Sequence, residues 1–357
     1  MKIVIVGGGY AGTIMAHALD GLADVTLVEP REAFFHSVAA IRAVVEPGLL
    51  DRLIIPYNRL LKHGKVIRAR AVDISDGEVV LDNGDVLNAG IVITATGSGY
   101  AQPFKPRSDT VADFKADQAA AHAQVQNAQK IVIVGAGPVG VELAAEIKHA
   151  HPDKRISILA SSDSVVPGIS AKLSKALKPQ ISAMGIDLTL GTTVEDLQRT
   201  DAPFAGTVKV AGATIEADVV FPVFGARPVL PPIKNAQATP SRRLDVDGWM
   251  RPHGYEKIFA LGDAAENGDP MTIWSVRQQT GWLIKTIKKL IAGTPVDRQP
   301  QYARTTKPLL LVPVGLDQGS SVLPLSRSGW LVGSWLTQRI KGKDLFLTST
   351  RKELGYR

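Results

Sequence analysis

The sequence predicts an α/β fold in which one parallel-sheet unit occurs twice, followed by a small α+β domain. Three observations carry this. Residues 2–19, KIVIVGGGYAGTIMAHAL, and residues 130–147, KIVIVGAGPVGVELAAEI, are near-copies of one another. Each half then runs through a hairpin to an apolar strand ending in glycine, at Ala95-Thr96-Gly97 and at Phe224-Gly225. From residue 297 the pattern changes to short apolar pieces and a basic end. The internal repeat is therefore domain-sized.

Each copy opens with four or five β-favouring apolar residues, the pattern of a buried parallel strand. Gly7, Gly9 and Gly12 follow in the first, and Gly135, Gly137 and Gly140 in the second. The first glycine of each set permits a tight strand-to-helix turn. The second lets backbone approach a pyrophosphate, and the third lets helix and strand pack closely. The helix N-terminus offers free N–H groups and partial positive charge to the phosphates. Both sets follow a strand and open a helical run, the context a dinucleotide turn requires. Gly7, Gly8, Gly9, Tyr10, Ala11 and Gly12 are thus candidate cofactor contacts in one half, and Gly135, Gly137, Pro138, Val139 and Gly140 in the other. Thr96, Gly97 and Gly225, at the ends of the returning strands, join them.

The copies differ one strand later. DVTLVEP ends in Glu29, a carboxylate placed to accept hydrogen bonds from both ribose hydroxyls of an adenosine. The matching strand RISILAS has Ala160 there, followed by Ser161 and Ser162. Without the acid nothing repels a 2′-phosphate, and no arginine stands beside the position to grip one. The first site is expected to hold a dinucleotide with a free ribose. The second is open to NADH or NADPH.

At 357 residues the chain can hold two or three domains. It has no cysteine, which removes disulfides, thiolate metal sites, cysteine nucleophiles and a redox-active disulfide. Its seven histidines show no metal-ligand spacing, so no metal is expected. No apolar run approaches the roughly 18 residues that span a bilayer. Lys2, the apolar stretch and AHA imitate a signal peptide, but cleavage there would destroy the first glycine turn. The start is not Met-Gly, so N-myristoylation is not indicated. The expected location is the cytoplasm, with peripheral contact at a membrane surface.

Charge is unevenly spread. From Lys285 onward there are 13 Lys and Arg against four acids, a local +9 within a whole-chain +7. Such an end suits an anionic surface, membrane or nucleic acid, or is a solvated face without a partner. Within it, Trp330, Leu331, Trp335, Leu336 and Ile340 would share one side of a helix, with Arg339, Lys341 and Lys343 near its end. That pattern fits a membrane interface, or packing on the protein's own core.

Between these landmarks the chain reads as a hairpin turning at Asn83-Gly84, a polar linker over 98–112, a helix near 170–184, a hairpin around Gly212 and a strand over 218–228. In IFALGDAAE a short strand delivers Gly262 and Asp263 at its carboxyl end, where open α/β sheets bind ligands. Asp263 either accepts from a polyol chain or caps the helix expected over 272–291. Expected boundaries are 1–106 with 234–296, 107–233, and 297–357.

Together, GGGYAG with Glu29, ATG, GAGPVG and LGDAA resemble the two-dinucleotide flavoproteins, with FAD in the first domain and NAD(P)H in the second. That implies two Rossmann-like, glutathione-reductase-like domains. Lack of cysteine excludes the disulfide reductases. FFHSVAAIRAVVEPGL (34–49), GVELAAEIK (140–148) and KGKDLFLTSTRK (341–352) further resemble the ferroptosis-suppressor branch of apoptosis-inducing-factor-like oxidoreductases, relatives of type II NADH:quinone oxidoreductases. The resemblance implies that Gly7 to Gly12, Glu29, Arg42 and Asp263 hold FAD, with a main-chain adenine contact near Ala69. It implies that Gly135 to Gly140 and Glu142 serve the nicotinamide nucleotide. It places His36, Lys341 and Phe346 near the flavin or a quinone channel.

The activity so implied is hydride transfer from NAD(P)H to FAD, with electrons passed on to a quinone of the ubiquinone, menaquinone or vitamin K type. Two other readings stay open. One is a reductase of a small acidic redox protein such as a ferredoxin or rubredoxin. The other is an apoptosis-inducing-factor-like protein whose partner binding responds to NAD(P)H. No motif supports sequence-specific nucleic-acid binding. Monomer and homodimer are both compatible.

Overall fold

The structure is a computed structural model and describes residues 1–356. Its first sheet has five parallel strands. Lys2–Val6 lies at the centre, flanked by Asp24–Val28 and Ile91–Thr94, with Lys65–Ile67 and Ile258–Ala260 at the edges. Ile3 stands opposite Val25 on one side and Ile91 on the other. The chain leaves this sheet after Thr94, builds a second one, and returns at Ile258 beside Val92.

The second sheet repeats the plan. Lys130–Val134 lies between Arg155–Leu159 and Ala213–Pro222, with Ile131 opposite Ile156 and Val219. Ile186–Thr189 continues the parallel part. Phe204–Val210 and Val194–Glu195 extend it antiparallel. The strand expected over 218–228 starts and ends earlier, at Ala213–Pro222, because pairing of Thr207 with Glu216 draws the second arm of the hairpin into it.

Both central strands are apolar on both faces because both faces are covered, one by helices and the other by the hairpin strands that carry Ile74, Val79 and Leu81 in the first half and Phe204, Val208 and Val210 in the second. Ile3, Ile5, Ile131 and Ile133 are all essentially inaccessible. Tyr10–Leu19 and Ile273–Ile291 share the first core through Met15, Leu19, Leu283 and Ile287. Pro138–Ala150 and Ala171–Ala183 share the second through Leu143, Ile147, Leu173 and Leu177. Each such side chain contributes about 1.5–3 kcal/mol by leaving water.

The C-terminal region forms an antiparallel sheet of Leu310–Val314, Gln318–Leu323 and Trp330–Val332. Val312, Val314 and Val322 pack into the second domain's core. Leu345 and Leu347 pack instead with Phe35, Ala39 and Phe114. The tail thus bridges both halves. The single helix expected from Trp330 to Ile340 is not formed. Trp330 pairs with Leu323 as a strand, Gly333 stops it, and a short helix Ser334–Thr337 runs into a π-turn over Gln338–Gly342. Nor do the tryptophans serve the core, since Trp330 is 61% and Trp335 73% exposed. No helix among the described residues is long and apolar enough to cross a membrane.

Candidate active site

The two glycine turns have one geometry. Gly7 and Gly135 have φ of +104° and +129°, and a Cβ on either would lie 2.4 or 2.1 Å from a carbonyl oxygen, of Ala95 or Val223. A Cβ on Gly12 or Gly140 would strike the carbonyl of Gly7 or Gly135, at 1.8 or 2.0 Å. Gly9 and Gly137, just ahead of the helices, have nothing within 4 Å of a built Cβ. Two glycines of each set serve packing. The middle one leaves the helix N-terminus open to a ligand's backbone, which fits a pyrophosphate at both turns.

The ribose ends differ as their residues require. Glu29 is 2% exposed. Its Oε2 accepts from Gly8 N–H at 2.5 Å, and Arg31 donates to both oxygens at 2.7 and 2.9 Å. Burial raises this carboxyl, but the Arg31 bonds outweigh it and hold it below the usual carboxylate range. Tyr57 donates to Gly8 O at 2.8 Å, a contact with no sequence signal. Ala69 is buried near this end, its N–H donated to Ile67 O. At the second site Ala160, Ser161 and Ser162 line an open cavity and no carboxylate faces them among the lining residues.

That cavity, of about 1100 Å³, runs from Gly135, Ala136, Gly137, Pro138 and Val139 past Gly225 to Tyr10, His36, Lys341 and Phe346. Its walls are mostly apolar and include Val38, Leu310, Leu311 and Ile340. The N-terminus of Ile273–Ile291 opens into it, capped by the Thr272 side chain, which accepts from Ser275 N–H at 3.2 Å. A partial positive charge is therefore presented to the cavity. Gly8, Gly9 and Glu29 are not among its lining residues.

Where the three regions meet, four charged side chains are buried together. Lys341 Nζ lies 2.6 Å from Glu142 Oε1, and Arg42 NH2 lies 2.8 Å from Glu146 Oε1. Glu142 and Glu146 are one helical turn apart on Pro138–Ala150. Burial raises the Glu142 carboxyl above its ordinary range, and Lys341 only partly offsets this. Arg42, expected against FAD, spends Nε and NH2 on Glu146 and NH2 also on Gly342 O, at 2.7 Å. Its helix, Ser37–Ala43, packs on the second domain, so the guanidinium ties the domains and the tail together.

His36 is fully buried. Its Nε2 lies 2.7 Å from Leu345 O, so that nitrogen carries the proton, and Nδ1 accepts from Tyr10 OH at 3.0 Å. Burial lowers its pKa to about 4, keeping it neutral at physiological pH. The carbonyl it holds belongs to a strained pair, since Leu345 and Phe346 have φ of +52° and +61°. His36 thus sets the backbone that aims Phe346 into the cavity.

Asp263 does not cap the following helix, a role taken by Thr272. Its Oδ2 accepts from Ser98 Oγ at 2.5 Å. Gly262 N–H donates to the buried Gln279 Oε1 at 2.7 Å, which fixes the turn. Thr96 and Gly97 meet Val229, through Thr96 Oγ1 to Val229 O at 2.5 Å and Val229 N–H to Gly97 O at 2.9 Å. They join the two strands that cross between the domains, beside Ser98–Gly99 paired with Arg227–Pro228. Tyr57, Ser98 and Gln279 escaped sequence reasoning because each acts across a long separation with no motif of its own, and Arg31, two residues from Glu29, belongs to no motif either.

Two glycine turns of one geometry, the second opening on an apolar cavity, define a class, the two-domain pyridine-nucleotide oxidoreductases. The family model described as pyridine nucleotide-disulphide oxidoreductase matches residues 1–281, and the chain belongs to that family. It is a flavoprotein, with FAD as cofactor and a nicotinamide nucleotide as co-substrate. Apoptosis-inducing factor homolog B of Dictyostelium discoideum is 27% identical, over 97% of this chain and 95% of its own length. Ferroptosis suppressor protein 1 of Mus musculus is 28% identical, over 99% and 96%. The fold is shared with the sulfide:quinone oxidoreductase of Aquifex aeolicus, at TM-score 0.78, 16% identity, 99% of this chain and 92% of that one. It is shared too with NDH2 of Plasmodium falciparum in complex with NADH, at TM-score 0.75, 15% identity, 98% and 97%.

Proposed function

We propose that this chain is an FAD-dependent NAD(P)H:quinone oxidoreductase working at a membrane surface. The observation that carries the reading is the single apolar cavity joining the second glycine turn to Phe346. With no cysteine in the chain, no disulfide can relay electrons, and the acceptor must reach the flavin itself. A flat quinone suits apolar walls. When bound, FAD accepts hydride from the reduced nicotinamide and delivers electrons to the acceptor.

The residues divide the work. Gly9 and Gly137 let the two pyrophosphates approach the helix ends. Glu142 positions Lys341, which brings a cation to the cavity wall where an acceptor gains negative charge. His36 is neutral and committed on both nitrogens, so its role is to hold Phe346 rather than to carry protons. Ala160, Ser161 and Ser162 admit either NADH or NADPH. Exposed Trp330, Trp335 and Leu325, with Arg327 and Arg339 near them in sequence, supply the apolar and cationic groups an anionic bilayer surface attracts.

The test is steady-state oxidation of NADH and NADPH with a soluble ubiquinone analogue, beside oxidised ferredoxin at low and high salt. Fast quinone turnover that salt leaves unchanged supports the reading. Fast, salt-sensitive ferredoxin turnover with slow quinone turnover replaces it with a redox-protein reductase. Slow turnover with both replaces it with an NAD(P)H-responsive binding role.

A further inference from the structure

The linker that leaves the first sheet carries a lysine with no part in the account so far. Lys105 folds back, with its side chain 26% exposed. Its Nζ donates to Ser98 Oγ at 2.6 Å and to Ser98 O at 2.9 Å. It stands 3.7 Å from Asp263 Oδ2, too far for a good hydrogen bond. An ammonium has three donors, and Ser98 takes two, so one proton remains to be directed past Asp263. The same serine donates to Asp263, which places hydroxyl, ammonium and carboxylate at the carboxyl end of Ile258–Ala260.

A second cation is nearby. Burial first, and then the field of Arg31, push Lys105 below the ordinary lysine range, while Asp263 works against them. Arg31 is itself bound to Glu29. Asp263 follows a glycine that stands against the first glycine turn, since a Cβ on Gly262 would lie 3.6 Å from Ala11 Cβ, and this end of the sheet carries two acids, Glu29 and Asp263, and two bases, Arg31 and Lys105. Acids suit ribose and ribityl hydroxyls. Bases suit the two negative charges of a pyrophosphate, which carboxylates alone would repel.

We propose that Lys105 is an FAD ligand, its ammonium hydrogen-bonding the pyrophosphate arm while Ser98, which it shares with Asp263, keeps that carboxylate turned to a ribityl hydroxyl. The linker between the domains then takes part in holding the cofactor. FAD retention depends on it, and nucleotide binding at the second site does not.

The experiment uses full-length holoprotein as wild type, Lys105→Met and Lys105→Arg. Each is diluted, and FAD release is followed by the rise in free-flavin fluorescence. Lys105→Met is expected to release FAD about ten to a hundred times faster, as for one lost charge-assisted hydrogen bond. Lys105→Arg keeps the charge and stays within about threefold of wild type. NAD⁺ affinity stays unchanged in both, and the thermal midpoint of Lys105→Met falls only by what its weaker FAD binding accounts for. Equal release rates in wild type and Lys105→Met overturn the proposal. So does a Lys105→Met protein that loses FAD, NAD⁺ affinity and thermal stability together, since the lysine would then hold the linker's fold rather than the cofactor.

Discussion

The first and second glycine turns share strands, helices and clashes almost atom for atom, yet they hold their ligands on different terms. Around the first, Glu29, held by Arg31, and Tyr57 close on the backbone of Gly8, and Ser98 and Lys105 close on Asp263. Around the second, Gly137 opens on a cavity of about 1100 Å³ whose ribose end offers only Ala160 and two serines. A gripped site suits a resident cofactor, and an open one suits a substrate that must come and go. The helices diverge too. Tyr10, at the start of one, reaches His36, while Glu142, early in the other, reaches Lys341. His36 in turn donates to Leu345 O, so both helices connect to the same C-terminal segment and the tail is set by both domains at once.

The sharpest way to separate the two turns is Gly135→Val. The side chain would meet Val223 O at a φ only glycine tolerates, closing the second turn alone. NAD(P)H affinity should fall by more than about a hundredfold, while the purified protein stays yellow with FAD. Flavin content and NADH titration check both halves.

Breaking the junction comes next. Glu142→Ala leaves Lys341 buried without its partner, and unfolding free energy should drop by about 3–5 kcal/mol. Removing both charges, as Glu142→Leu with Lys341→Met, should return most of that, because the desolvation cost leaves with them. Urea melts of the single and double variants decide it. If the double variant is no more stable than Glu142→Ala, the pair is not what matters.

The His36 contact should show in pH. His36 has a folded pKa of about 4 against an ordinary 6.5. Below 6.5 the unfolded chain takes up a proton that the folded protein refuses. Stability is therefore full above 6.5, is lost as pH falls towards about 4, and the loss reaches about 3 kcal/mol. His36→Gln should flatten this part of the profile in urea melts between pH 7 and 4. Glu29 adds a second loss at lower pH, as the medium falls through its depressed folded value.

The smallest change is at the ribose. Ala160→Glu would give the second site the acid the first one has. NADPH affinity should fall by about tenfold relative to NADH, through repulsion of the 2′-phosphate. An unchanged ratio would mean the adenosine lies elsewhere.

Much of this was legible in the chain. Glycine turns are local, and Gly7 to Gly12 and Gly135 to Gly140 carry their geometry in spacing alone. Glu29 and Ala160 were legible as the residues that follow matching strands, Asp24–Val28 and Arg155–Leu159. The C-terminal segment was not. Trp330 to Ile340 has helical periodicity, but strand pairing with Leu323 and the break at Gly333 depend on partners that periodicity does not encode. The Arg42 ion pair was not legible for a similar reason. Its partner Glu146 lies 104 residues away, and only packing of one domain's helix on the other brings them together. Lys105 sat in a stretch readable only as polar linker, since nothing local says that its side chain turns back to Ser98 and Asp263.

The central claim is that a gripped FAD and an exchangeable nicotinamide nucleotide meet in one cavity that also admits the acceptor. Anaerobic titration of the holoprotein with NADH and with NADPH, followed through the visible flavin absorption, tests it most directly. The account predicts rapid bleaching by one or both donors, then full return of colour on adding a soluble quinone. A yellow protein that neither donor bleaches, or one that bleaches but stays bleached with quinone, would contradict it.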